Sequence, residues 1–539
     1  MTIPAGEFPV TWLEPGDAEL TWDWDDMHMP AAVTPLAGDY ALVVGEGFAY
    51  GYDRLEIPYQ VHARVFNGYV YYAFTTNVPE SEQAAAADRY TEARRQAIEV
   101  SDAYWHARAV PELTEIYGWV AARPVETASP HELADTWDEV WRRISRAWAM
   151  HFYAIRGPYQ VLDDLADLYE SVIDGAAPGE ALELIGGSVH ELHEVERGLE
   201  GLARLAARTP SLERRLCETG VTLSDIAAVP GAGPFVDELQ SFLIEHGHLG
   251  QSFDDLGQAS WIEAPDLLMT ELAKRLEHPP AVDAETRREM LSDRADLLAE
   301  RVRDALAGDP DGLDRFETML GYGRQIGPLT EVHNYWIDRR AQSSLRRFVM
   351  RVGRRLAEMG AIDDAADCLY LHRAEIPDVL RGGQAQQALV AERRARLAGW
   401  ARIRPPRQLG KPSTVSGEAN ADRFDGPRYI STDADEIRGT GASAGIVRGR
   451  ARVTLGQADF GAVQPGDIIV CPSSNPSWVP LFAIAAGLIT DTGGVLSHAA
   501  VVAREFALPA VVGTGDATQR IADGRLVELD GTSGIVRLL

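Results

Sequence analysis

Near its C-terminus the chain reads Asp491-Thr492-Gly493-Gly494, then Ser497-His498, then an apolar run from Ala499 to Ala507. Few folds accommodate this order. The apolar stretch Leu488 to Thr490 predicts a short strand, the double glycine a tight break, and the run from Ser497 a short helix. Glycines let the backbone approach a bulky anion, and Ser497 is a suitable N-cap residue. Free amides and the positive end of the helix then favour negative charge beside the His498 ring. The placement suits a histidine that transiently carries a phosphoryl group, with Thr492, Gly493, Gly494 and Ser497 as phosphate ligands. Arg504 lies six residues on, roughly 240° round a helix, so it faces away and suits a structural or docking role.

The string DTGGVLSHAAVVAREFALPAVVG extends from this core. Upstream lie Gly439-Thr440-Gly441-Ala442-Ser443-Ala444-Gly445-Ile446-Val447-Arg448-Gly449 and Pro465-Gly466-Asp467-Ile468-Ile469-Val470; downstream lie Asp523-Gly524 and Asp530-Gly531. In this order the pieces resemble the swivelling phosphohistidine domain of the phosphoenolpyruvate-utilising enzymes. The resemblance implies that His498 is the phosphorylated residue and that the C-terminal region is a compact β/β/α domain.

Bulk composition excludes several alternatives. The 539 residues suggest two to four domains, and a 45% hydrophobic fraction permits real cores. A net charge of -30 repels nucleic-acid phosphates and anionic membrane surfaces, so neither is an expected partner. Three cysteines, Cys217, Cys368 and Cys471, lie far apart and suggest no disulfide frame or zinc site. No basic-then-apolar leader opens the chain, and the apolar run Val479 to Ile489 is too short to span a bilayer. A cytoplasmic location is the expectation.

Periodicity divides the chain into three regions. Residues 1–400 are expected to be an acceptor-binding domain, β-containing at 1–80 and helical afterwards. Tyr59 to Thr75 reads as two strands turned at Asn67-Gly68. Trp141, Ile144 and Trp148 recur at i, i+3, i+7, and Leu345, Val349, Val352 and Leu356 at i, i+4, i+7, i+11. Residues 401–435, with Pro405-Pro406, Pro412 and scattered glycines, read either as an extended connector or as a segment packed on the surface. Stretched out, it would reach on the order of 100 Å. Residues 436–539 are expected to hold short strands at 446–454, 467–471, 488–490, 510–512, 526–529 and 534–536, with helices near 479–486 and 497–507. The fold class is therefore multidomain, a large helical domain followed by a compact β/α domain.

A phosphohistidine needs a donor, and no nucleotide loop is evident. Gly410-Lys411 lacks the glycine a P-loop requires, and Gly45-Glu46-Gly47 and Gly439-Thr440-Gly441 miss the dinucleotide spacing. The resemblance implies an ATP-grasp domain ahead of the other parts or a phosphoenolpyruvate barrel after the swivelling domain, and neither is found. The expectation is a separate ATP-grasp partner chain that binds ATP and Mg2+ and cleaves ATP to AMP and phosphate.

The rest of the chain resembles the central and C-terminal portions of rifampin phosphotransferases. The supporting segments are Trp22 to Pro30, His246-Gly247-His248-Leu249 with Trp261 to Pro265, and Glu331 to Asp338. An arginine commonly stands at the position of Leu249 in that family, which disfavours rifamycin itself as acceptor. A split arrangement resembles the acceptor/carrier subunit of aryl phosphate synthases, which act on phenol or 4-cresol. The expected acceptor is thus a small phenol; the alternatives are an antibiotic or natural-product phosphotransferase and a phosphocarrier without small-molecule catalysis.

A phenol of pKa near 10 needs a base or strong acceptor to attack well. Glu331 and His333 are the candidate catalytic residues beside His498. Trp24, His28, His246, His248, Tyr335, Trp336 and Asp338 are candidate substrate contacts, and Arg324 a candidate phosphate contact. His246 and His248 suit either a metal or local hydrogen bonds, and Asp23, Asp25 and Asp26 either capping or magnesium; no metal ligand is assigned. Seven arginines between Arg339 and Arg355 suit a solvated helix paired with carboxylates, although one or two could steady a migrating phosphate.

Overall fold

The computed structural model describes residues 8–76, 78–177, 179–218, 220–250, 256–280, 282–411, 429, 435–455, 457–474 and 478–539. Two compact units emerge. The first combines residues 1–157, 252–259 and 333–414; the second combines residues 158–251, 260–332 and 415–539. Residues 1–400, taken above as one domain, are thus shared between both units. Most of the 401–435 connector lies outside the described residues.

In the first unit, strands β1 (Thr21–Trp24), β2 (Tyr59–Phe66), β3 (Tyr69–Thr76) and β4 (Gln408–Gly410) form a sheet in the order β2-β3-β1-β4. The hairpin turns where expected. Asn67 (φ 54°) and Gly68 (φ 86°) both adopt the left-handed region that a two-residue hairpin of matching twist requires. Strand β4 corrects the connector reading: residues 408–410 pair antiparallel with Thr21–Asp23 and belong to this sheet.

The aromatic-rich 1–80 region is not all β. Pro35–Arg54 is a helix, started by Thr34, whose side chain accepts from the Ala37 amide, and by proline at the first turn. Leu36, Tyr40, Val43 and Val44 lie on one buried helical face of it. The helix packs closely on the long helix Pro130–Val172: a Cβ on Gly47 would stand 2.7 Å from the Trp148 carbonyl oxygen, and one on Gly51 2.5 Å from Phe152 Cβ. Gly45-Glu46-Gly47 is therefore helix surface, not a nucleotide loop.

Trp137, Trp141, Ile144 and Trp148 are all buried on one face of the long helix, and Leu345, Val349, Val352 and Leu356 on one face of helix Arg340–Glu358, as their spacing predicts. Trp148 Nε1 donates to the Tyr40 hydroxyl at 3.0 Å, so its single polar atom is satisfied. The arginine-rich stretch is mostly structural. Arg351 pairs with Glu126, Arg355 donates to the Val125 and Glu126 carbonyls, and Arg340 lies over the Tyr335 and Trp336 rings.

The second unit joins a helical layer to an eight-stranded sheet. Leu165, Tyr169, Leu298, Val302, Phe316 and Leu320 belong to the core of the helical layer. The strands are β5 (Glu436–Arg438), β6 (Thr440–Ser443), β7 (Ile446–Val453), β8 (Ile468–Cys471), β9 (Gly487–Thr490), β10 (Ala510–Val512), β11 (Leu526–Asp530) and β12 (Ile535–Leu538). Their order is β5-β12-β11-β7-β8-β9-β10-β6. Strands β7 to β10 run parallel and the flanking pairs antiparallel.

Strand β8 is buried on both faces, as central parallel strands are. Its residues alternate between two cores: Ile468 and Val470 on one side, Ile469 and Cys471 on the other. The second core also holds Ala499, Ala500, Val502 and Ala503 of helix His498–Glu505, which pins that helix to the sheet. Six strands and two helices fall where the sequence placed them; β5, β6 and the helix Ala517–Arg520 are additions.

Candidate active site

Helix His498–Glu505 crosses from β9 to the parallel β10, so His498 lies just past the carboxyl end of β9. In open α/β sheets, ligands bind outside this edge. The entering loop is fixed by several hydrogen bonds. The Thr492 amide and hydroxyl both donate to the Pro472 carbonyl at 3.0 Å, and the Asp491 carboxylate accepts from the amide and hydroxyl of Thr518. Gly493 has φ 99°, and a Cβ there would stand 2.7 Å from Ser497 Oγ. No other residue fits that turn without strain.

Three expected phosphate contacts have other partners. Ser497 occupies the N-cap position, but its hydroxyl donates to the Gly494 carbonyl at 2.8 Å and caps no amide. The Thr492 hydroxyl is turned to Pro472. Arg324 binds the Leu184 carbonyl at 3.2 Å and Asp296 at 2.7 Å.

The site's defining contact joins residues 167 positions apart. His498 Nδ1 lies 3.1 Å from Glu331 Oε2, with side chains only 10% and 11% exposed. A carboxylate only accepts, so it favours the tautomer with the proton on Nδ1. The other ring nitrogen, Nε2, is buried and has no hydrogen-bond partner among the described residues. The pairing leaves Nε2 with its lone pair available and the ring held in orientation by the carboxylate behind it.

Three further groups share the Glu331 field; Glu505 and His190 were not identified from sequence, and Arg504 was expected to face away. Glu505 is pushed up to about 7, first by lost hydration and then by the nearby Glu331 charge, with His498 opposing. The residue is nevertheless exposed to water. Burial lowers the His190 pKa, against the Glu191 and Glu331 charges, and favours a neutral imidazole. Arg504 donates to the Ala442 carbonyl at 3.1 Å and approaches the left-handed Gly179, and burial lowers its pKa to about 10. The bond to Ala442 is a structural contact, one of the two roles expected of it. Glu505 stands inside the quoted sequence string, but nothing local there signals its electrostatic setting.

The remaining candidates are dispersed. Trp24 is core to the first sheet, 5.8 Å from the Tyr69 ring. His28 Nδ1 lies 2.9 Å from Asp25 in a local turn, and Asp23 accepts from Gln408. In the second unit, His246 packs against Phe242, and His248 follows in the turn after that helix. Tyr335 is buried, Trp336 is half-buried with its carbonyl accepting from the Tyr117 hydroxyl, and His333 and Asp338 are buried in the first unit. Glu331 and His333, paired in the sequence reading, thus belong to different units.

Comparison with known proteins agrees with this layout. Residues 463–534 match the mobile domain of PEP-utilising enzymes, and residues 161–327 match the fourth domain of rifampicin phosphotransferase. Chondramide synthase cmdD of Chondromyces crocatus is 31% identical across 99% of this chain, a block that makes up 14% of that protein. A rifampicin phosphotransferase of Streptomyces sviceus is 32% identical over 59% of the chain and 36% of its own length. The uncharacterized phosphotransferase YvkC of Bacillus subtilis is 29% identical over 57% of the chain and 36% of its own length. The chain thus spans little more than a third, or less, of these relatives. The chain thus carries a PEP-utilising mobile domain that bears His498 and a rifampicin phosphotransferase-like fourth domain ahead of it.

Proposed function

We propose that this chain is the acceptor and carrier part of an ATP-dependent phosphotransferase in which His498 Nε2 takes up a phosphoryl group and passes it to an organic hydroxyl. The observation that carries this reading is the His498–Glu331 pair, which leaves one buried imidazole nitrogen unengaged at the start of a helix. Attack by Nε2 forms an N–P bond as the donor's P–O bond breaks. Glu331 holds the Nδ1 proton and stabilises the positive charge that builds on the ring. In the second step the acceptor oxygen attacks phosphorus, the N–P bond breaks, and a base takes the hydroxyl proton. Such transfers pass through loose transition states, so positioning and charge stabilisation dominate.

ATP and Mg2+ would be held by a partner ATP-grasp chain. The glycine pairs considered as nucleotide loops do not fit one: Gly45 and Gly47 lie mid-helix, and Gly410 lies in a strand. We propose a small phenol as acceptor, on the split arrangement of aryl phosphate synthases. A second reading, a natural-product acceptor, is favoured by the rifampicin phosphotransferase relatives. Among the described residues no helix is long and apolar enough to cross a membrane, which fits a cytoplasmic reaction.

The test is labelling with [γ-32P]ATP and [β-32P]ATP in the presence of an ATP-grasp partner, followed by peptide mapping under alkaline conditions. The expected result is an acid-labile phosphate on His498 alone, at Nε2, discharged by a phenol. Label on another residue, or none, refutes the carrier reading. Discharge by a macrocyclic natural product but not by phenols selects the second acceptor class.

A further inference from the structure

We propose that His151, His333 and Asp338 form a binding site for one divalent transition-metal ion, zinc-like in its ligand preference. The three side chains are buried, at 6%, 4% and 2% exposure. One donor atom from each lies within 4.8 Å of the other two. All three belong to the first unit.

Two features make this more than an internal hydrogen-bond cluster. His151 Nε2 and Asp338 Oδ1 are 3.0 Å apart, an ion-pair distance, yet Oδ1 and His151 Nδ1 are buried with no hydrogen-bond partner among the described residues. Buried polar atoms are rarely left so. The backbone is also unusual there. Asn334–Arg339 is a π-helical turn set between helices Leu329–His333 and Arg340–Glu358. In an α-helix, residues five apart point about 140° away from each other. The i→i+5 repeat of a π-turn brings His333 and Asp338 onto one face, and such turns concentrate at functional sites. His151 meets them from the long helix, its ring centroid 4.6 Å from that of His333.

The donor set decides the ion. Two imidazoles and one carboxylate suit Zn2+, Fe2+ or Mn2+, whereas Mg2+ and Ca2+ prefer all-oxygen shells. Ligands at ~2.1 Å from a tetrahedral ion stand about 3.4 Å apart, so the most widely spaced donors need to close by roughly an ångström. Three protein ligands leave a position for water or another oxygen ligand.

The test uses the full chain, stripped by chelator and titrated with Zn2+, Mn2+ and Mg2+ by calorimetry, with metal content measured after gel filtration. We expect one Zn2+ per chain, Mg2+ at least a hundredfold weaker, and Zn2+ affinity reduced at least tenfold in both His333→Ala and Asp338→Asn. Co2+ added to the stripped chain should show visible ligand-field bands that Zn2+ abolishes. Should His333→Ala misfold, the near-isosteric Asp338→Asn and the Co2+ spectrum carry the decision. No stoichiometric binding, no Co2+ bands, or binding unchanged in the variants overturns the proposal. None of these readouts depends on phosphoryl transfer, so this inference and the proposed function fail separately.

Discussion

His498 and His333 are both histidines set beside carboxylates, and they reach that state by different routes. His498 is placed by its own neighbours: strand β9, the Gly493 turn and an eight-residue helix seated on the sheet fix its backbone within about ten residues. His333 gains its surroundings from a helix-to-π-turn junction and from His151 on a helix far away in sequence. The first kind of site leaves a readable string, because a tight strand-to-helix turn needs glycine and a helix start at fixed spacing. The second leaves almost none, because packing rather than spacing assembles it.

That contrast can be broken at its strongest point by His498→Ala. Transfer should fall by at least about a thousandfold, the scale seen when a nucleophile is removed, with the melting temperature nearly unchanged. An active, folded variant would remove the basis for treating the two histidines differently. Trp148→Ala probes the first region. It empties a fully buried indole volume one turn before His151, and an urea titration should show a loss of about 3–5 kcal/mol. A loss under about 1 kcal/mol would mean that the first core does not position His151.

Glu331→Gln sharpens the comparison from the other side. Glutamine keeps the shape but not the charge, so phosphorylation of His498 should slow by about 10–100-fold, as for other partners that orient a reactive imidazole. The bound phosphate should stay on the same nitrogen. A rate equal to wild type would show that Glu331 does not tune the ring.

The smallest effect concerns Glu505. Its pKa of about 7 lies above its ordinary 4.5, so the folded state holds the proton more tightly. Stability from this group is therefore present below pH 4.5 and declines as pH rises towards 7. Water at its open face screens the effect. Melting temperatures across this window should fall less steeply in Glu505→Gln than in wild type; parallel curves would place Glu505 outside the Glu331 field.

Short-range chemistry made several elements legible. Asn67-Gly68 announced its hairpin because few other pairs adopt two left-handed conformations. The heptad-like spacing around Trp141 and Val349 announced buried helix faces. Where competing signals met, local reading erred. The reading of residues 1–80 as β-containing passed over the helix Pro35–Arg54, and proline-rich composition hid the strand Gln408–Gly410, which pairs with a segment nearly 400 residues away. Glu436–Arg438 and Thr440–Ser443 are too short to show alternation and form strands because neighbouring strands accept them.

By itself the sequence determined the mobile domain, its strand–turn–helix core and the histidine at its edge, since glycine conformations and apolar periodicity act over a few residues. Only the tertiary structure decided that Glu331 faces His498, that Ser497 turns its hydroxyl away from the helix amides, and that His151 meets His333 and Asp338. Those contacts join distant positions through packing of whole helices and sheets, and no local preference encodes which distant side chain will arrive.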